Sequence, residues 1–380
     1  MQSLAMAVRQ RFVIFIGAAL VSRLLMLALV DVQATLWTGD TTVLMAGGSY
    51  VPPGYPLFLR YVPQPILIQS LLTIGVGWLV GSRLNFAAGL LYVTSPFLIL
   101  FEWRLLTESL AVNLTVVAFT LTAFPRHKSD VIVGGAAMAA AILVRDTLLF
   151  LPLLFLFDRR AWPAIAACYL LLAPVQLSRG SVTLSEGRMG LNLWKGSWER
   201  FPSPNDRGFD ANANYPPEAF ASADEKSAAL EAIARRDDAR LRQIAIDRLK
   251  QDPGLIANWF IRQPYMWLGT RTELHELRLE RGSFAWKCVK GAFWLLNAIT
   301  LAAGLAAIAM TRRYILLIPL AYLAAIYLPF HSTEPRYSLF ALPFLYAAIA
   351  LLITSRLNHG RWWNAGRRST PSPAGQAPQP

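Results

Sequence analysis

Carboxylates and arginines at the ends of apolar runs are the residues of this chain best suited to chemistry. Asp40 lies in a weakly polar stretch between the first two apolar runs, and a partly buried carboxylate has a raised pKa that suits a general base. An arginine near a membrane interface suits phosphate binding, because its planar fork donates to two oxygens at once. The pattern therefore favours chemistry on a lipid phosphate, in which arginines hold the anionic leaving group and an aspartate deprotonates the attacking hydroxyl. The residues expected near one membrane face are Asp31, Asp40, Glu102, Glu108, Asp146, Glu334, Arg104, Arg145, Arg336, His331 and Tyr337.

Most of these residues also have a structural interpretation. A free charge at Glu108 would cost about 3 kcal/mol or more inside its apolar pattern, which favours a paired or functional role for that residue. The structural alternatives are a solvated loop carboxylate at Asp40, a span-ending residue at Asp31, a snorkelling interface anchor at Arg336, a mutually neutralised pair of Arg145 and Asp146, and a structural histidine at His331.

The composition excludes an ordinary soluble domain. Hydrophobic residues make up 55% and charged residues 16% of the 380 residues, and the mean hydropathy is +0.40. A net charge of +13 would suggest nucleic acid in a soluble chain, but here the charges fall on connectors between apolar runs, so no nucleic-acid partner is predicted. The two cysteines have no framework or metal-ligand spacing. No disulfide, metal site or cofactor is therefore indicated.

Long apolar runs predict an all-α polytopic membrane protein. By the rule of roughly 20 residues per crossing, the chain has about ten transmembrane helices, joined by amphipathic outer-loop helices and one mostly helical external segment. The runs begin near Phe12, Pro65, Leu84, Leu105, Asp130, Leu148, Trp162, Trp286, Tyr314 and Ser338. Two of them, 131–144 and 148–157, are too short to cross alone and predict a hairpin that turns around Arg145 below the outer surface.

Basic residues on every second connector set the orientation. Arg83, Arg126 and the Arg159-Arg160 pair are among them, and the positive-inside rule places these connectors and both termini in the cytoplasm. The Asp40 stretch and the other candidate site residues then face the opposite, periplasmic side. The predicted divisions are an N-terminal transmembrane bundle at 1–177 with a first outer loop at 31–63, a periplasmic segment at 178–285, transmembrane helices at 286–355, and a basic, disordered cytoplasmic tail at 356–380.

The segment 178–285 is the only substantial water-soluble part of the chain. Residues 188–217 are rich in Gly, Pro, Asn and Trp and predict a loop. Ser222 and Glu225 form a capping-box pattern that predicts one helix from there to Gln251, where Asp252-Pro253 ends it. The following stretch, 254–268, is aromatic and is typical of a helix at the membrane interface.

An ordered series of short motifs resembles the glycosyltransferase C superfamily. The motifs are Gly39-Asp40 after the first span, the run 52–59, the run 106–110 that opens the fourth span, Val144-Arg145 with 150–152, the run 191–198, Asp252-Pro253, and the run 334–337 with Leu342-Pro343. Members of this superfamily are integral membrane enzymes that take a sugar from a polyprenyl-phosphate carrier. The chain is most similar to the bacterial branch related to the lipid A aminoarabinose transferases and the protein mannosyltransferases.

The resemblance implies a role for particular residues. Asp40 matches the catalytic base of the first outer loop, Glu108 an acidic residue that lines the sugar site, and Arg336-Tyr337 the pair that faces the carrier phosphate. The predicted substrate-binding residues are Glu108, Arg336, Tyr337, Arg145, Arg104, Tyr55, His331 and Glu334. Two departures are that Thr41 follows Asp40 where mannosyltransferases carry a second acid, and that Arg145-Asp146-Thr147 stands where an Arg-Pro-Ser turn is common.

The resulting prediction is an inverting glycosyltransferase of the bacterial inner membrane. It would use a polyprenyl-phosphate sugar donor and a lipid, glycan or protein acceptor, without a required metal. Because the chain is short for the superfamily, acceptor recognition is expected to rest on 178–285. The alternatives are a transporter or flippase of a lipid-linked or small anionic substrate, and a polymerase or ligase that handles whole lipid-linked glycans.

Overall fold

The protein is described by a computed structural model that covers residues 2–33, 44–45, 51–179, 184, 189–198, 215–269, 276–329 and 335–367. The described part is helical, apart from one isolated bridge between Val30 and Leu277. Its α-helices are α1 (Gln2–Leu29), α2 (Gly54–Tyr61), α3 (Pro65–Arg83), α4 (Phe86–Val93), α5 (Pro96–Glu102), α6 (Thr107–Ala123), α7 (Lys128–Val144), α8 (Trp162–Arg179), α9 (Met189–Trp198), α10 (Ala223–Arg235), α11 (Asp238–Gln251), α12 (Ala257–Leu268), α13 (Phe284–Thr311), α14 (Ile318–Tyr327) and α15 (Leu342–Arg367). Short 3-10 helices connect several of them, including Asp146–Leu148, Leu151–Phe155 and Pro335–Ala341.

Long apolar helices give the chain the architecture of a multi-pass membrane protein. Five stretches of the described residues are long and apolar enough to cross a membrane, or six if the bent pair α5 and α6 forms one span. The predicted ten crossings are not all present as such helices. The run near Leu84 divides at Thr94 into two helices of 8 and 7 residues, each about 10–12 Å long and too short to cross alone. The side chains of Asn85 and Ser95 cap the first turns of these two helices, so local side-chain chemistry explains where the run divides.

The chain turns back after Val144, where the sequence predicts a hairpin between 131–144 and 148–157. The 3-10 helices after Val144 lead the chain back along α7. This course follows from the contact between the start of α8 and the first half of α7. A Cβ added at Gly135 would lie 2.2 Å from the carbonyl oxygen of Ala164, so the two backbones touch there. The hydroxyl of Tyr169 in α8 donates to the carbonyl of Leu149 at 2.8 Å and holds the returning segment in place.

The basic connectors after α3 and α6 lie at one end of the helical bundle. At one end, Arg83 at the end of α3 pairs with Asp130 in the first turn of α7 at 2.7 Å. Arg126 donates to the carbonyl of Ser82 at 2.5 Å, so the basic connectors after α3 and α6 lie together. The first turn of α6 and the end of α7 lie at the opposite end. The cytoplasmic side of the membrane remains a prediction from the basic connectors.

A separate small core lies outside the bundle and is formed by α9, α10 and α11. Trp194 of α9 is fully buried there, in one cluster with Ile233 and Leu241. Part of the predicted 188–217 loop is therefore the helix α9. The predicted single helix after Ser222 is instead two helices. Arg236 adopts a left-handed backbone with φ 56° and ends α10, and the Asp237 side chain caps α11. The predicted cap at Ser222 is present, with its hydroxyl accepting from the Glu225 amide at 3.1 Å.

α15 extends to Arg367, into the tail predicted at 356–380, and the predicted division at 356 stays a prediction. Residues 368–380 lie outside the described residues.

Candidate functional site

A sharp bend between α5 and α6 places Glu108 at one end of the bundle. The two helices meet at 120°, and Glu108 lies in the first turn of α6, where the positive end of the helix dipole favours a carboxylate. Its side chain is 3% exposed. A buried carboxylate needs cationic or hydrogen-bonding partners, and Glu108 finds them on two distant parts of the chain.

Two arginines converge on Glu108. Its Oε1 lies 3.0 Å from Nη1 of Arg145 and 3.6 Å from Nε of Arg336. Arg145 follows the last residue of α7, and Arg336 lies in the 3-10 helix that precedes α15. The same Arg145 Nη1 donates to the Thr107 hydroxyl at 3.1 Å, so the first turn of α6 is fixed to the end of α7. The arrangement is a cationic fork around one oxyanion.

A stacked tyrosine pair supports this fork, with one ring at the end of α14 and the other in the 3-10 helix before α15. The rings of Tyr327 and Tyr337 are 4.5 Å apart and nearly parallel, at 9°. The Arg145 guanidinium lies over the Tyr337 ring at 4.7 Å, and its Nε donates to the Tyr327 hydroxyl at 3.1 Å. Thr147 and Tyr327 are also hydrogen bonded through their hydroxyls at 3.2 Å. These contacts hold the guanidinium plane in one orientation.

Comparison of the chain with protein-family models, with curated proteins and with solved structures gives no match.

The structure brings together four of the predicted substrate-binding residues: Glu108, Arg145, Arg336 and Tyr337. Asp40, the predicted base, lies outside the described residues, and so do His331 and Glu334. Arg145 forms an ion pair with Glu108. One alternative from the sequence was a pair between Arg145 and the neighbouring Asp146.

Arg104 and Tyr55 lie in a second polar layer rather than in the fork. Arg104 forms an ion pair with Glu276, and the Gln69 amide donates to the carbonyls of Glu102 and Arg104 at 3.1 and 3.2 Å. The Tyr55 hydroxyl reaches the Gln69 side-chain oxygen at 3.5 Å. Burial, and then the Glu108 carboxylate, raises the pKa of Tyr55, so its hydroxyl stays neutral and can donate.

Another ion pair connects this layer to α1. Arg23 Nε lies 2.8 Å from Glu102 Oε1, and Arg23 Nη2 donates to Glu102 Oε2, also at 2.8 Å. Such bidentate pairing fixes geometry as well as charge. The bend that presents Glu108 is therefore held from both sides, by Arg23 on α1 and by Gln69 on α3.

Two contributors to the fork, Thr107 and Tyr327, were not predicted as site residues. Thr107 lies beside Glu108 in the motif 106–110, so its position in the sequence could have identified it as a site residue. Tyr327 ends an ordinary apolar helix, and nothing in its sequence context separates it from other interface tyrosines. Among the described residues, no group of three or more His, Cys, Asp and Glu side chains is placed to hold a metal ion.

Proposed function

We propose that the chain is a membrane glycosyltransferase that transfers a sugar from a polyprenyl-phosphate donor to an acceptor hydroxyl with inversion at the anomeric carbon. The observation that carries the proposal is the fork of Arg145 and Arg336 around the Glu108 oxyanion at one end of the bundle. Arginine forks bind carboxylate and phosphate oxygens with the same geometry. A fork of this kind, at the end of apolar helices, suits the phosphate of a lipid.

The proposed reaction is a single displacement. Asp40 takes the proton from the acceptor hydroxyl, whose oxygen attacks the anomeric carbon as the bond from that carbon to the phosphate oxygen breaks. The electron pair of that bond leaves with the polyprenyl phosphate. Arg336 and Arg145 stabilise the charge that develops on the departing phosphate, which is where preorganised cations accelerate such a step most. Glu108 orients both arginines.

Transfer by the purified protein tests this proposal. Membrane-reconstituted protein with a polyprenyl-phosphate sugar and membrane extract as acceptor source is expected to release free polyprenyl phosphate and a glycosylated product. Asp40→Asn should abolish transfer, because the amide cannot accept the proton. Asp31→Asn is the matched control, since Asp31 is expected only to end a span. Normal turnover by Asp40→Asn would contradict the assignment of the base.

A transporter or flippase is the second candidate, and one observation favours it. The broken pair α5 and α6 carries a buried ion pair beside the break, and broken helices with ionisable residues are common in transporters. Flipping of a labelled polyprenyl-phosphate sugar across proteoliposomes, without release of polyprenyl phosphate, would support this candidate over the enzyme.

A further inference from the structure

Helix α12 has an inverted distribution of polarity. Arg262, the only charged residue of the helix, is fully buried, and so is Met266 on the same face, where Asn258 is also buried. The opposite face is exposed and apolar. Its members, with their exposed fractions, are Phe260 at 61%, Ile261 at 48%, Tyr265 at 47% and Leu268 at 38%.

The buried face is fastened to the small core by its polar groups. Arg262 Nη2 donates to the carbonyl of Gly196 on α9 at 3.2 Å, and its Nε donates to the carbonyl of Asn258 at 3.3 Å. The Trp259 indole donates to the same Gly196 carbonyl at 3.0 Å. The helix therefore cannot roll to hide its apolar face without breaking these bonds.

The C-terminal end of α12 is hydrogen bonded to α13 at a residue that lies within the apolar run of α13. Asn297 of α13 is fully buried, and its amide donates to the carbonyls of Trp267 and Gly269 at 2.9 and 2.6 Å. Lys287 and Lys290 precede the apolar run of α13, which begins at Gly291. Asn297 lies six residues into that run, about 9 Å along the helix axis.

Capping by a buried amide is what a helix end requires where water is scarce, because its last carbonyls have no partner within the helix. The Trp267 indole is satisfied in the same way, by the Gln263 side chain one turn earlier at 3.2 Å. The surface next to this junction is also apolar, with Trp294 and Leu295 of α13 exposed by 48% and 52%.

We propose that α12 is an interfacial helix whose exposed face lies in the lipid leaflet at the Glu108 end of the bundle, continuous with the lipid-facing side of α13. The lipid bilayer covers this exposed face, and the helix holds the small core of α9, α10 and α11 at the membrane surface. The immersed face holds about four apolar side chains over three turns, which is typical of helices that lie in the plane of the interface. The proposal does not depend on the glycosyltransferase assignment.

Nitroxide accessibility in vesicles tests it directly. Cys168→Ala and Cys288→Ser provide a background without cysteines, and single cysteines at 256–261 and 263–268 carry the spin label in vesicles of phosphatidylethanolamine and phosphatidylglycerol. The ratio of collisions with oxygen to collisions with a water-soluble nickel chelate rises in lipid. Leu295→Cys serves as the lipid reference, and Ser227→Cys, exposed on α10, serves as the water reference.

Labels at positions 260, 261 and 265 are expected to give ratios close to that of position 295 and several-fold above that of position 227. Position 262 is left unlabelled, because it carries the contacts to α9. Ratios at 260, 261 and 265 that match position 227 would overturn the proposal. Low collision rates with both reagents at these positions would also overturn it, because a protein would then cover the face.

Discussion

At the scale of single residues, the fork rests on one buried carboxylate between two arginines. Removing one member of a buried ion pair leaves charge without compensation, and this costs far more than the loss of an exposed pair. Glu108 has its side chain 3% exposed, whereas Glu231 and Arg235 form a pair with exposures of 58% and 75%. The chain thus provides its own matched control.

Glu108→Ala is expected to lower the free energy of unfolding by about 3–5 kcal/mol, because Arg145 and Arg336 then repel each other in a buried place. Glu231→Ala should change it by about 0.5 kcal/mol or less. Denaturant unfolding in detergent micelles measures both variants. Equal effects of the two substitutions would show that the fork contributes nothing beyond a surface pair.

The sequence predicted the members of the fork better than their pairing. Glu108, Arg145, Arg336 and Tyr337 were selected by residue type, apolar context and the motif series. The partner of Arg145 could not be selected this way, because Asp146 is adjacent in sequence while Glu108 meets Arg145 only after α6 and α7 have packed. Tyr327 illustrates the same limit, since a tyrosine at the end of an apolar helix becomes part of a site only through its neighbours in space.

At the scale of helices, close backbone approach joins α7 to α8. At Gly135 any side chain would collide with the backbone of Ala164, with a Cβ only 2.2 Å from its carbonyl oxygen. Gly75 in α3 is also helical, but an added Cβ there meets nothing within 4 Å. Comparing alanine substitutions at Gly135 and Gly75 therefore separates the effect of packing on stability from the effect of helix propensity.

Gly135→Ala is expected to destabilise the protein by about 1–3 kcal/mol through overpacking between α7 and α8. Gly75→Ala should be neutral or stabilising by up to about 1 kcal/mol, because alanine is the better helix former. Thermal unfolding in one detergent compares them. If Gly135→Ala were as stable as Gly75→Ala, the close contact of α7 with α8 would be refuted.

Helix ends could be predicted where a capping residue is present. They could not be predicted where tertiary packing determines them. Ser222 as the start of α10 and Asp252-Pro253 as the end of α11 were read from side-chain chemistry. The turn at Arg236 was missed, because an arginine in the left-handed region carries no local signal. Helix α9 was also missed: its glycines favour a loop, but burial of Trp194 in the small core overrides that preference.

At the scale of the whole molecule, the apolar runs predicted a helical, multi-pass architecture, and the helix lengths then reduced the number of clear spans. The count of ten treated each apolar run as a crossing, whereas capped breaks and 3-10 segments divide several runs into shorter pieces. The separation of the basic connectors from the Glu108 fork, at opposite ends of the bundle, is what the prediction of a cytoplasmic and a periplasmic face requires.

Thiol labelling in cells checks this orientation. In the background without cysteines, Ser227→Cys on the small core should react with a membrane-impermeant maleimide in cells whose outer membrane alone is permeabilised. Ser129→Cys, exposed beside the Arg83 and Asp130 pair, should react only after the inner membrane is opened. The reverse pattern would place the Glu108 fork in the cytoplasm and reject a periplasmic reaction.

The most direct measurement for the central claim is the affinity of the purified protein for polyprenyl phosphate, which requires no knowledge of the sugar or acceptor. Each arginine of the fork should supply a charge-assisted hydrogen bond of about 1.5–3 kcal/mol to the phosphate, so Arg145→Gln and Arg336→Gln should each weaken binding by about 10- to 150-fold. Arg83→Gln, which breaks an ion pair at the opposite end, should leave the affinity unchanged. Equal affinity in all four proteins, each folded by gel filtration, would contradict the assignment of the fork as the lipid-phosphate site.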